Sequence, residues 1–457
     1  MNDNSANPLL LVIFGISGDL AHRKLMPALA SLYANGHLPD SFSIAGVSRR
    51  KDYTVDSLFD DFSRFLPEPS GGHVDLEALK SHCSIISNDQ ESADDFNVMR
   101  ADLEAESRSL GKNTLRIYYL SVPAQAFIST VKLLGETGHP APFDYESVNP
   151  RILVEKPFGY DAESAKELIE ATESAFHTPE IYRIDHYLAK ETAQNLLAFR
   201  AHNPMFESIW NAGHIDHITV GAYEQIGVEG RAVFYEKTGA LRDLIQSHLL
   251  QLLALVTMEQ PRTLTSDEIH TLKLDLMKSI LAVRPEDAIR GQYEGYREEI
   301  HNVESPVETF ARLTLSINNE RWQGTPITVE TGKGLDEKTT FVQLHFRETH
   351  NEGDNTLTFN IQPKEGITIT LQAKKPGLDS ETEMVDMTFG YDDSFKAYVS
   401  EAYERVIMDA IKGDQSLFAS SAEVMESWRI IEPAIDAWRK NGEGLKLYPF
   451  GSSADSL

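Results

Sequence analysis

The sequence predicts a two-part fold: an N-terminal, Rossmann-like α/β domain, doubly wound, then a larger α+β domain with a mostly antiparallel sheet. Three observations carry that expectation. Apolar runs alternate with helical patterns through the first part of the chain, as in a doubly wound parallel sheet. A glycine-bearing turn follows the first apolar run directly and opens a helix. Beyond about residue 200 the runs become short and alternating, with turn residues separating several of them, as in an antiparallel sheet. The expected division is residues 9–186 and residues 187–457.

Residues 1–8 are polar and expected to be disordered. Residues 9–15 read as a buried parallel strand, and a helix is expected from about 20 to 34, kinked or broken by Pro27. Further strands are expected at 42–47, at 115–122 before Pro123, and at 151–155 before Pro157, with a helix at 162–176. In the second domain the strands are expected at 214–223, 309–317, 341–346, 357–361, 367–373 and 384–389. Long helical patterns cover 240–258, 267–283 and 395–412.

A chain of 457 residues exceeds one compact core and fits two or three domains. The early apolar run at 9–16 is too short to span a bilayer and follows no cationic segment, so neither a membrane helix nor a signal peptide is expected. The single cysteine, Cys83, reads as a small buried apolar residue and fits a reducing cytoplasm. A net charge of −28 argues against nucleic acid and anionic membranes as partners. It also means that an anionic ligand has to be held by local cations and helix N-termini against the overall field.

Four segments concentrate chemistry. Gly15-Ile16-Ser17-Gly18-Asp19-Leu20 sits between the first strand and its helix, where glycines let backbone approach a pyrophosphate, although the spacing is not G-x-G-x-x-G. The second strand ends at Ser48-Arg49-Arg50-Lys51, with no acidic residue before Asp52. An acidic residue there would hold a ribose 2′-hydroxyl, whereas arginine accommodates a 2′-phosphate, so NADP is the expected coenzyme, with NAD as a weaker alternative. Lys156, placed before Pro157, is expected to be extended and to emerge at the carboxyl edge of the sheet. Residues 183–191 bring Asp185, His186, Tyr187 and Lys190 together. A helix starting near Asp185 would set His186 and Lys190 one turn apart, able to grip a phosphate.

His248 interrupts the apolar helical run 241–255, where a polar side chain needs a partner or a purpose. Asp243 lies five residues earlier, about 140° away on an ideal α-helix, so the two share a direction only if the helix starts between them.

Residues 15–25, GISGDLAHRKL, resemble the GxxGDLAxRKL segment of glucose-6-phosphate dehydrogenases. Residues 155–159 resemble that family's EKPxG, and 183–191 its RIDHYLGKE with Ala189 in place of Gly. Residues 242–251 resemble RDxxQNHLLQ with Ser247 in place of Asn. The matches run in family order over roughly residues 9 to 440.

The resemblance implies oxidation of β-D-glucose 6-phosphate to 6-phosphoglucono-1,5-lactone with reduction of NADP, the opening step of the pentose phosphate pathway, in the cytoplasm and without a metal. It implies that Gly15, Ser17, Gly18, Asp19, Leu20 and Arg49 contact coenzyme, with Arg49 on the 2′-phosphate. Lys156 would contact both coenzyme and substrate, and Lys24 would lie near the substrate. His186, Tyr187 and Lys190 are implied as phosphate ligands, Glu224 and Asp243 as hydroxyl ligands, and Lys333 and Lys338 as further cationic contacts. Many relatives have arginine at the Lys338 position, and lysine keeps its charge without the bidentate fork. His248 would be the general base and Asp185 the carboxylate that orients it. A homodimer or homotetramer built through the large sheet is also implied.

Trp322, Gln362 and residues 374–377 fall in family-like segments without an implied role. Glu-Lys-Pro also occurs in sugar oxidoreductases of the glucose–fructose oxidoreductase class, which is the alternative enzyme reading. A non-catalytic sugar-phosphate or nucleotide sensor on the same fold is the alternative from another class.

Overall fold

The computed structural model describes residues 7–66, 75–89, 92–141, 148–348, 353–390, 401–441 and 444–457. Residues 1–6 of the expected disordered start and 395–400 of an expected helix lie outside them. The chain forms two compact units. The first comprises Met1–Gly159, Glu163–Ala189 and Ser400–Ser420; the second comprises Tyr160–Ala162, Lys190–Val399 and Ser421–Leu457.

The first unit is built on six parallel strands: β1 (Leu9–Phe14), β2 (Phe42–Ser48), β3 (Cys83–Ser87), β4 (Leu115–Leu120), β5 (Arg151–Val154) and β6 (Ile181–Ile184). Their order is β6-β5-β4-β1-β2-β3, with Phe418–Ala419 added antiparallel beside β6. This is the 3-2-1-4-5-6 order of dinucleotide-binding sheets, whose switch point falls between β1 and β4. Every residue of β1, β2 and β4 is buried, as expected of parallel strands covered on both faces.

The helix after β1 is continuous through Pro27. Residues Ala21–Leu25 form a π turn and Met26–Ala34 an α-helix. The Met26 N–H donates to the carbonyl of Ala21, five residues back. The widened turn takes in a proline that would clash inside a regular helix, so the expected kink or break becomes a bulge.

A single cut at residues 186/187 does not describe the units, because Ser400–Ser420 belongs to the first. Val406, Ile407 and Ala410 of the helix Ala402–Lys412 enter the core that contains Ile117 and Leu153, and Phe418–Ala419 pairs with β6.

The second unit is a nine-stranded sheet with helices. Its strands are β7 (Ile215–Tyr223), β8 (Ala288–Tyr293), β9 (Phe310–Leu315), β10 (Ile327–Gly332), β11 (Thr339–Phe346), β12 (Thr356–Gln362), β13 (Gly366–Lys374), β14 (Thr382–Gly390) and Leu445–Tyr448. The order is β14-β13-β12-β11-β7-β10-β9-β8 and then Leu445–Tyr448. Pairing is antiparallel except between β7 and β10 and between β8 and Leu445–Tyr448.

The expected helix at 240–258 starts earlier and has two irregularities. Ala232–Ala240 is broken at Gly239, whose φ is +63° and whose absent Cβ would lie 2.3 Å from Glu308 Oε1. Beyond it the buried Glu308 carboxylate accepts from the Leu241 N–H at 3.2 Å, capping a new helix start. Leu241–Leu249 is then a π-helix that continues as the α-helix Leu250–Thr257.

Candidate active site

In the first unit the expected coenzyme and substrate residues follow the carboxyl ends of β1, β2, β5 and β6, along one edge of the parallel sheet. Gly15 leaves β1 with φ +76°, and a Cβ there would lie 2.2 Å from the Ser121 carbonyl oxygen. Only glycine fits both the turn and this approach to the neighbouring strand end. Its N–H donates to Val47 O at 3.0 Å, and the Gly18 N–H returns to Gly15 O at 2.9 Å. The result is a cradle of bare backbone at the switch point, which fits a dinucleotide pyrophosphate. Gly15→Ala is expected to weaken dinucleotide binding roughly 5- to 150-fold, the effect of about 1–3 kcal/mol of backbone strain at the cradle. Fluorescence titration with reduced coenzyme measures it; unchanged affinity would remove the cradle from the site.

Ser17 Oγ accepts from Ser48 Oγ at 3.2 Å, tying the cradle to the end of β2. Asp19 is exposed and pairs with Arg23 at 2.8 Å across one helical turn. Leu20 packs against the unit's core. Of the two arginines after β2, Arg50 pairs with Asp52 at 3.7 Å and lies over the Tyr53 ring, while Arg49 is exposed beside it.

Lys156 follows β5 and is half-buried, as is its neighbour Glu155. The Glu155 carboxylate accepts from Tyr119 Oη at 2.5 Å and also meets the hydroxyl of Tyr403. Burial pushes its carboxyl up to about 7 against the pull of Tyr119 and Lys156, and the nearby Asp185 adds to the rise.

The segment after β6 is not the helix start the sequence pattern allowed. The buried Asp185 carboxylate accepts from the Tyr187 N–H, and its carbonyl from the Leu188 N–H, each at 3.0 Å. Aspartate thereby closes a turn on its own backbone, as Asx residues do. The helix Glu191–His202 begins only after Lys190, which is its N-cap residue. His186 and Lys190 are therefore not one helical turn apart; the His186 ring instead lies 4.9 Å from that of Tyr187, centroid to centroid.

In the second unit, β7 and β10 are parallel neighbours with Tyr223 opposite Gly332. Glu224 and Lys333 leave those strand ends side by side, and Lys333 Nζ lies 2.5 Å from Glu224 Oε2. Lys333 is buried, with its ammonium 5.5 Å from the centre of the Tyr235 ring. Lys338 is exposed in the same β10–β11 connection.

Asp243 and His248 are both buried on the π-helix. Hydrogen bonds from i to i+5 stack residues five apart, so the two lie on one face without a helix start between them. Ser247 Oγ turns back to the Asp243 carbonyl at 3.4 Å.

Sequence reasoning did not single out Tyr235. Its hydroxyl is buried and held well above the ordinary phenol range, first by burial and then by Asp243, Tyr448, Glu308 and Glu224. It stands among residues drawn from distant parts of the chain, from Glu224 to Tyr448, and nothing local in its sequence marks it. Among the described residues no group of three or more His, Cys, Asp or Glu side chains could hold a metal ion, and no helix is long and apolar enough to cross a membrane.

Two family models together match nearly the whole chain. The glucose-6-phosphate dehydrogenase NAD binding domain matches residues 12–195, and the C-terminal domain of the same family matches 197–456. A glucose-6-phosphate 1-dehydrogenase of Chlamydia muridarum is 36% identical over 468 residues, covering 95% of this chain and 91% of its own. Glucose-6-phosphate 1-dehydrogenase 2 of Mycobacterium tuberculosis is 36% identical over 482 residues, covering 96% and 90%. A glucose-6-phosphate dehydrogenase solved in complex with its substrate glucose-6-phosphate superposes with a TM-score of 0.92 at 31% identity, over 98% of this chain and 96% of that one. A levoglucosan dehydrogenase solved with NADH and levoglucosan reaches a TM-score of 0.55 at 11% identity, a likeness of fold alone. With both domains matched in order and relatives above 30% identity along nearly its whole length, this chain belongs to the glucose-6-phosphate dehydrogenase family.

Proposed function

We propose that this chain oxidises β-D-glucose 6-phosphate to 6-phosphoglucono-1,5-lactone, with NADP as its preferred coenzyme, as the first step of an oxidative pentose phosphate pathway in the cytoplasm. The observation that carries the reading is the full-length match to a family solved with that sugar phosphate bound. A nicotinamide coenzyme, when bound, supplies the hydride acceptor. In this reading Gly15, Ser17, Gly18, Asp19 and Leu20 hold its pyrophosphate, and Arg49 its 2′-phosphate.

His248 takes the proton of the C1 hydroxyl, and Asp185 orients the imidazole and stabilises its charged form. His186, Tyr187 and Lys190 hold the phosphate, with Lys338 adding positive charge. Glu224 and Asp243 accept from sugar hydroxyls. Lys156 bridges substrate and coenzyme. Lys333 completes the cationic set, which offsets the repulsion of a chain with net charge −28.

The test mixes purified protein with glucose 6-phosphate and either NADP or NAD and follows reduced coenzyme by absorbance. Rapid reduction that requires the 6-phosphate is expected. No reduction with either coenzyme would redirect the reading to another sugar or to a sensor. Arg49→Ala is expected to raise KM for NADP roughly 10- to 100-fold, the loss of a charge-assisted contact, and to leave KM for NAD within about twofold. Equal changes for both would remove Arg49 from the 2′-phosphate.

A homodimer or homotetramer through the large sheet is proposed as well. Its support is the edge strand β14, which exposes Met384, Val385, Met387 and Phe389. Light scattering that gives a monomer would exclude it.

A further inference from the structure

The β10–β11 connection carries Lys333, and the last residues of the chain hold that connection in place. Tyr448 is buried at the end of the strand Leu445–Tyr448, and its Oη donates to the Lys333 carbonyl at 2.6 Å. The same oxygen lies 2.8 Å from Thr309 Oγ1, which accepts from the Tyr293 N–H at 2.9 Å. With each hydroxyl donating once and accepting once, the hydrogen bonds run in one direction. Tyr293 N–H donates to Thr309, Thr309 to Tyr448, and Tyr448 to the Lys333 carbonyl.

The residues beyond Tyr448 extend the hold. The Gly451 N–H donates to Gly334 O at 2.7 Å, the Asp336 N–H donates to Ser452 O at 3.1 Å, and Leu335 pairs with Ser452 as a parallel bridge. Gly334 has φ +62°, and a Cβ there would come within 2.7 Å of the Phe450 ring. On the other side the Lys333 N–H donates to Thr309 O at 2.9 Å and the Leu335 N–H to Glu224 O at 3.0 Å. Both backbone polar groups of Lys333 are thus committed, and Tyr448 supplies the partner of one of them.

We infer that residues 448–452 are a positioning element for the sugar-phosphate site, and that Tyr448 is a positioning residue acting through the Lys333 carbonyl. The inference rests on the proposed role of Lys333 in substrate binding. Without the Tyr448 hydroxyl the Lys333 carbonyl has no partner on that side. The lysine then loses the fixed origin from which its ammonium meets Glu224 and the Tyr235 ring.

The experiment is a double-mutant cycle between Tyr448→Phe and Lys333→Ala, reading KM for glucose 6-phosphate, KM for coenzyme and kcat. Tyr448→Phe is expected to raise KM for glucose 6-phosphate roughly tenfold in the native background and less than about twofold in the Lys333→Ala background. KM for coenzyme should not move in either, which separates positioning from general destabilisation. An equal effect in both backgrounds, or equal loss for both substrates, overturns the inference. If Lys333→Ala itself leaves KM for glucose 6-phosphate unchanged, the role of Lys333 fails first. Gly334→Ala tests the same hold from the loop side, because its Cβ pushes against Phe450; the same split between the two KM values is expected.

Discussion

His248→Asn is expected to lower kcat by roughly 10²- to 10⁴-fold, the range of general acid–base catalysis, while leaving affinity for glucose 6-phosphate within about twofold. Asparagine is the informative replacement. It approximates the imidazole in size at a position that is 1% exposed, and it keeps a polar group able to hydrogen-bond there. It cannot take up a proton near neutral pH. A base acts on the reacting hydroxyl as charge develops, so its loss falls on kcat and not on ground-state binding. Steady-state kinetics with glucose 6-phosphate and direct titration of the sugar phosphate make the two measurements. Turnover within tenfold of the native value would sink the assignment of the base.

The parallel strands legible in sequence were β1, β2, β4 and β5, which are largely buried; β3, only half-buried, and β6, which buries Arg183, were not read. Leu9–Phe14 and Leu115–Leu120 are nearly continuous apolar runs, and such runs read as strands without reference to partners. Strands that carry their polarity inward did not read that way. In β8 the residues Arg290 and Gln292 are buried, and in β10 Glu330 and Thr331 are; Arg290 lies over the Trp438 ring, and the other three meet polar partners on other segments. The return of Ser400–Ser420 to the first unit has the same origin, since it rests on packing between Ile407 or Ala410 and strands some three hundred residues earlier.

The candidate residues could be named from sequence, whereas the geometry around them could not. Asp185 closes a turn on Tyr187 where the pattern allowed a helix start, and the π-helix at Leu241–Leu249 puts Asp243 and His248 on one face without the helix start between them that an α-helix would need. Both depend on local backbone choices that side-chain periodicity does not encode. Tyr235 and Tyr448 had no local signal. Both contact Lys333, to which only the folded sheet brings them.

Lys273→Met is expected to cost about 3–5 kcal/mol of stability, the usual penalty for leaving a buried charge without its partner. Lys273 and Glu423 are both fully buried, with Nζ and Oε2 2.9 Å apart. His270 Nδ1 lies 2.7 Å from the other carboxylate oxygen, and Gln251 joins the group by donating to Glu423 at 3.1 Å and accepting from Lys273 at 3.0 Å. Burial alone would raise the Glu423 carboxyl, but Lys273 and His270 outweigh it and hold the group down at about 2. The sign of the pH dependence follows. A carboxyl depressed in the folded state stabilises fully above its ordinary value and loses that contribution as pH falls toward about 2. The native chain should therefore lose on the order of 3 kcal/mol from this group across that window, and Lys273→Met should lose much less, having lost the depression already. Denaturant midpoints at neutral pH and through the acid range measure both effects. The control is Lys273→Met combined with Glu423→Leu, which removes both charges. It should recover most of the stability, because apolar residues of similar volume often replace a buried pair at little cost. A double variant as unstable as the single one would mean that packing, and not the stranded carboxylate, sets the loss. The network also reaches the proposed base. Gln246 donates to Ser427 at 2.8 Å and Gln251 is held by Lys273 and Glu423, so His248 sits between two residues anchored to neighbouring helices. Lys273→Met removes one of the two hydrogen bonds that hold Gln251, and kcat in the surviving folded protein should fall with it while KM for coenzyme stays put.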